Sequence, residues 1–205
     1  MDAFKTFKFT DGRKLEIHHD PDPMNPREGD NVGTMVCFHG RYELGDKDHG
    51  IDHTDFRGWD EMEAWIIEQM DGAIVLPLYL YDHSGLRIKV GSFNGLLPQG
   101  HAEFDSRQVG FIFVTNAKVK DEYGDDPKAM ERAEAYLRNE VAVYDQYLCG
   151  DVYGFVLRDK PCEHCDDETG DELDSCWGFY GSDPLENGIA GYLSDADQKE
   201  LATLV

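Results

Sequence analysis

Cys162, His164 and Cys165 are the residues whose types and spacing point most directly to chemistry. In Cys162-Glu163-His164-Cys165 two thiolates separated by two residues can clasp one soft metal while the backbone turns between them. A closed zinc site takes four ligands, and with His164, Cys176 and Cys149 the inventory is formally sufficient. Geometry argues against using all of them. If 151–158 and 173–180 pair as a hairpin, Cys162 and Cys165 sit at its tip and Cys149 at its far end. At ~3.3 Å per residue, Cys176 then falls about 10 Å from the tip. A reduced, solvent-facing turn is the competing reading. The chain has five cysteines, an odd number without a secretion signal, which favours free thiols or a metal over a disulfide framework.

A second set consists of His39, Asp82, His83 and His101. Cys37 and His39 are two apart and share one face of a strand, while Asp82-His83-Ser84 closes another. Carboxylate, imidazole and hydroxyl at one strand end are the parts of general acid–base catalysis. Adjacent strand residues point to opposite faces, however, so Asp82 and His83 do not form a simple relay. No G-x-S-x-G, H-E-x-x-H, P-loop or G-x-G-x-x-G string occurs. The acids of Asp46-Lys-Asp48-His-Gly50-Ile-Asp52 superficially resemble a calcium loop. The glycine falls at the fifth position rather than the sixth, and the twelfth residue is Arg57.

Acidity is the third signal. The 205 residues carry 42 Asp plus Glu against 19 Lys plus Arg, a formal charge of −23. Seven carboxylates crowd one segment: Glu163, Asp166, Asp167, Glu168, Asp171, Glu172 and Asp174. Such a field attracts basic surfaces and disfavours direct binding to nucleic acid or an anionic membrane, which rests on cationic contacts with phosphate. A solvated acidic surface is the plainer explanation of the same run. Aromatic residues are 12 % of the chain, too many for an acidic disordered protein. No run approaches the roughly 18 apolar residues of a membrane span, and the first residues lack an apolar signal core, so the expected compartment is the cytoplasm.

The elements that must position these groups follow from periodicity. Residues 3–9 and 13–18 alternate around Asp11-Gly12 and read as a hairpin. Residues 18–31, with three prolines, and 41–55 read as loops around a strand at 34–38. Trp59, Met62, Ile66 and Met70 recur at helical spacing. The apolar runs 73–81, 86–93 and 109–115 are buried strands, with Pro77 expected at an edge or bulge. Asp126-Pro127 opens the best-defined helix, 127–148, whose stripe is Met130, Ala133, Leu137, Val141, Tyr144 and Leu148. Residues 151–159 and 172–181 read as paired strands, and 194–205 as a short capped helix. Adjacent strands with inserted helices define an α+β fold, a largely antiparallel sheet packed against the 127–148 helix and shorter helices. No linker divides the chain, so 1–205 reads as a single domain with an acidic hairpin excursion at 159–174.

The strings GTMVCFHGRYELGD (33–46), VLPLYLYDHSG (75–85), QVGFIFVT (108–115), YLRNEVAVYDQYLCGDVYGFVL (136–157) and DSCWGFYGSDPLENGI (174–189) resemble a family of small acidic proteins found largely in phages and other mobile elements. That resemblance runs from about residue 27 to 189. It implies an intracellular accessory protein but supplies no established activity, cofactor or catalytic residue. Two functions follow as expectations. One is a non-enzymatic protein that binds a basic host or defence-system surface through the seven acids, as a nucleic-acid mimic of the anti-defence type. The other is a small metal-assisted hydrolase using the histidine set. Any zinc is expected on Cys162 and Cys165 before other cysteines. Elemental analysis should therefore find less zinc in the Cys162→Ala, Cys165→Ala variant than in the parent, and equal zinc in both removes the site.

Overall fold

The computed structural model describes residues 2–96, 104–162 and 170–205, and it divides the chain into two compact units. Each unit has an antiparallel four-stranded sheet, so the fold is α+β. The sequence offered no linker, and the division falls instead inside the polar loop 18–31 and just past the long helix: residues 25–149 form one unit, and 1–24 with 150–205 the other.

In the larger unit, β3 (Thr34–Cys37), α1 (Trp59–Gln69), β4 (Gly72–Asp82), β5 (Leu86–Val90), β6 (Ser106–Thr115), α2 (Asn116–Tyr123) and α3 (Ala129–Leu148) follow in order. The sheet order is β3-β6-β4-β5. Helices cover both faces, which explains why β6 is apolar without alternation. Ile112 and Val114 face α3 through Ala133, Leu137, Val141 and Tyr144. Phe111 and Phe113 face α1 through Met62 and Ile66. Truncating Leu137, which is fully buried, to Ala would cost ~2–5 kcal/mol. Arg87 and the Ile88 amide both bond the Asp145 carboxylate, which ties edge strand β5 to α3.

Two expectations are corrected here, and a third, Pro77 at an edge or a bulge, is met only in its second form. Met130 is 46 % exposed, because four-residue steps back from Ala133 lead to Ala129, which packs in its place. The helix begins at Ala129 rather than Pro127. Asp126 instead caps the preceding turn, accepting from the Lys128 amide at 2.9 Å. Strand β4 lies inside the sheet, yet Pro77 loses little there. Its carbonyl accepts from Gly91 N–H just past the end of β5, so the missing donor faces the side where β5 has ended. A register shift follows at Leu78/Tyr79, the bulge that was anticipated.

The segment 25–46, which reads as polar loop flanking a short strand, is organised by a buried arginine. All five guanidinium N–H groups of Arg27 donate: Nε and Nη2 to Asp46 at 2.8 and 3.0 Å, Nη1 to Glu140 at 2.8 Å and Asn31 at 3.1 Å, and Nη2 also to the Gly33 carbonyl at 2.7 Å. Glu140, 7 % exposed on α3, accepts from the Val32 and Gly33 amides, and Asp46 accepts from Met35 N–H. Burial disfavours the guanidinium charge, and Asp46 and then Glu140 more than offset it. Gly33 is required at this crossing, since a Cβ there would overlap the Leu137 side chain.

The smaller unit orders its strands β1-β2-β7-β8: β1 (Lys5–Lys8), β2 (Lys14–His19), β7 (Val152–Arg158) and β8 (Glu172–Tyr180). The first two form the anticipated hairpin and the last two pair around the acidic excursion. Leu15, Ile17, Phe155 and Phe179 pack against Ile189, Leu193 and Leu201, the last on α4 (Asp195–Leu204). Ser194 caps α4 as expected, and Asp197 in its first turn pairs with Arg13. On the opposite face the Trp177 ring lies over Gly154, where any Cβ would collide with it.

Breaking one partner of a buried ion cluster strands the others, at ~3–5 kcal/mol. Arg27→Met is therefore expected to lower unfolding free energy by about 3 kcal/mol or more. Arg27→Lys should also destabilise, because an ammonium cannot replace five forked donors. Chemical denaturation checks both, and a loss below ~1 kcal/mol for Arg27→Met would contradict the cluster's role.

Candidate functional site

Where β3 ends, the chain turns along the rim of an open cleft of about 1160 Å³ in the larger unit. Antiparallel pairing of Cys37 with Gly110 carries Phe38 alongside Val109, whose carbonyl its N–H bonds at 2.7 Å, and brings His39 to Gln108 and Arg107 near the start of β6. The 39–49 segment forms the other wall. It is anchored by Asp46 on Arg27 and by Gly45 N–H donating to the Tyr144 hydroxyl at 3.0 Å. Rings line much of the interior: Phe38, Tyr42, Trp59, Tyr147, His49 and His53. Phe38 contacts both histidines, with ring centres 5.5 Å from His49 and 5.2 Å from His53.

His39 stacks on Tyr42 at 4.9 Å with the rings 11° apart. Its Nε2 lies 2.7 Å from Arg107 Nη2, and its Nδ1 lies 3.3 Å from the Arg41 amide. Burial holds the imidazole pKa below its ordinary value, and the Arg107 and Arg41 charges add to this against the opposing Asp82. His49 is likewise lowered, by burial, with Asp46 opposing. Cys37, two residues back at the end of β3, is buried. Burial pushes its thiol up to about 12, which disfavours the thiolate near neutral pH.

Of the four sequence candidates, the three that are described, His39, Asp82 and His83, do not converge as a catalytic group. Asp82 is engaged by Arg41 and, at 3.4 Å, by the Tyr42 hydroxyl, so these two residues stand between it and His39. His83 faces Asp105 at 3.4 Å. His101 lies outside the described residues. Ser84 is a turn residue with φ +58°. Arg41, Tyr42 and Arg107 are the members that sequence reasoning missed. Arg107 had no local signal, since only the β3–β6 register brings it to His39.

The acidic segment is described in part. Asp171, Glu172 and Asp174 lie at the start of edge strand β8, all exposed, and none carries an ion pair among the described residues. Glu172 accepts from the Ser175 hydroxyl and Asp174 from the Ser175 amide. Glu163, Asp166, Asp167 and Glu168 lie outside the described residues, as does Cys165. Cys162 is exposed. Among the described residues no three His, Cys, Asp or Glu side chains are grouped to hold a metal. In the calcium-like loop, Asp46 is spent on Arg27, and Asp52 caps the turn 53–55 by accepting from Thr54 N–H. No described helix is long and apolar enough to cross a membrane.

These features define an α+β protein with a ring-lined cleft in one unit and an acidic edge strand in the other. No family model, curated protein or solved structure matches the chain.

The lowered His39 pKa has a measurable sign. As pH falls below about 6.5 the unfolded chain takes up a proton at this position before the folded one does, so His39 contributes stability that is lost on acidification. In a histidine NMR titration His39 should protonate below the ordinary value. Arg107→Gln should move it upward without restoring it fully, because burial is the larger cause. An unchanged titration in the variant would remove Arg107 from the site's electrostatics.

Proposed function

We propose that the protein is a non-enzymatic binding protein that engages a basic surface of a host or defence component through its acidic excursion, imitating the charge of nucleic acid. The observation that carries this reading is the row of exposed carboxylates at Asp171, Glu172 and Asp174, unpaired among the described residues, on a chain with net charge −23. Exposed acids on an edge strand also discourage strand addition by other chains, a role compatible with the first. The family resemblance supports a setting in the host-cell cytoplasm for this reading.

The hydrolase reading draws on the cleft and on His39 alone. Asp82 and His83, its other described members, are each held by a partner outside the set. A zinc ion held by Cys162 and Cys165 would, in either reading, brace the excursion.

Replacing Glu163, Asp166, Asp167, Glu168, Asp171, Glu172 and Asp174 with Gln and Asn tests the proposal. The melting temperature should hold or rise slightly, since mutual repulsion is relieved. Capture of basic partners from host lysate should fall, with the loss concentrated in the association rate, and parental capture should weaken steeply with salt. Undiminished capture by a folded variant would reduce the segment to a solvated surface.

A further inference from the structure

His39 receives more donors than it has acceptors. A guanidinium only donates, so the 2.7 Å contact from Arg107 requires a lone pair on Nε2. The Arg41 amide points at Nδ1 from 3.3 Å and requires a lone pair there as well. A neutral imidazole offers one lone pair and one N–H, so one of the two donors always meets a proton. Protonating the ring makes both contacts repulsive. The 2.7 Å contact leaves no room for an atom between them, but an oxyanion admitted by a swing of the exposed Arg107 side chain away from Nε2 resolves the conflict. Nε2 then carries the proton and donates to the anion, Arg107 donates to the same anion, and Nδ1 accepts from Arg41.

The surroundings suit that occupant. Arg107 has no carboxylate partner among the described residues, although the chain has 42 acids to 19 bases. Lys47 lines the same cleft, again without an ion pair among the described residues, and Gln108 adds an amide. The carboxylates nearby are partly committed. Asp46 serves Arg27 and Asp82 serves Arg41, while Glu28 and Glu43 lie on the exposed rim. Beyond His39 the walls are rings, led by Tyr42, Phe38 and Trp59, and the space is ample for a ligand of nucleotide size. Polyphosphates and polynucleotides fit poorly, since each further negative charge enters the field of a −23 chain.

We propose that the Arg107–His39 end of the cleft binds the phosphate of a small monophosphate ester whose planar ring body lies against the aromatic walls, nucleoside monophosphates being the natural class. This small-ligand site is separate from the acidic binding segment and does not depend on it.

Calorimetric titration of the full chain with adenosine monophosphate, phenyl phosphate and inorganic phosphate tests it, alongside NMR of the His39 ring. Both esters should bind more tightly than inorganic phosphate and shift the His39 resonances. Arg107→Gln should weaken ester binding about tenfold or more, as expected for a lost charge-assisted pair. Arg107→Lys, which keeps the charge and loses the fork, should fall between. Arg138→Gln, on the exposed side of α3, should bind as the parent does. Melting temperatures establish that the variants are folded. Absence of ester binding at millimolar concentration, equal affinity for inorganic phosphate and the esters, or undiminished binding by Arg107→Gln would each overturn the proposal.

Discussion

Arg27 is the buried charge on which the larger unit depends. A guanidinium removed from water is tolerated only when its charge is opposed and every donor is used, and Asp46, Glu140, Asn31 and the Gly33 carbonyl meet both conditions. The two carboxylates bring a net negative charge with them, which the Val32, Gly33 and Met35 amides help to stabilise. The consequence is topological. Three stretches of chain, at 25–33, 46 and 140, are fixed to one another, and the turn at Gly45 is set beside Tyr144. One wall of the cleft is thereby tied to α3 at Glu140 and Tyr144.

The His39 cluster inherits its geometry from this arrangement. His39 and Tyr42 lie between the end of β3 and Asp46, both held, so their stacking persists without a dedicated side-chain bond between them. Arg41 is drawn away to Asp82, and Arg107 remains on the imidazole. A guanidinium with no carboxylate partner among the described residues is electrostatically consistent with anion binding even on a strongly acidic protein. Screening over about 8 Å at physiological salt weakens charges beyond that range, while a guanidinium in contact acts at full strength.

Much of the fold was legible because periodicity is local. Met62 and Ile66 place α1, Leu137 through Tyr144 place α3, and the apolar runs place β4 and β6. Helix α2 was not, since Val119 is its one buried residue and its entry rests on the Thr115 cap. Arg27 was missed for a different reason. It lies among prolines and acids that read as solvated loop, and its partner Glu140 looks like an ordinary polar helix position. Only the folded path of residues 25–33 over α3 shows that both are enclosed. The same limit applies to the site. His39 was visible as a residue type, whereas Arg107 belongs to it through strand register, which no local pattern encodes.

Native-state hydrogen exchange at the Val32, Gly33 and Met35 amides tests the organising role of the arginine most directly. Because these amides donate into the Glu140 and Asp46 carboxylates of the cluster, they should exchange only through an opening as costly as that of the β6 core, far slower than ordinary loop amides. In Arg27→Met their protection should collapse while that of Phe111 and Ile112 persists. Exchange at loop rates in the parent protein, or undiminished protection in the variant, would contradict the account.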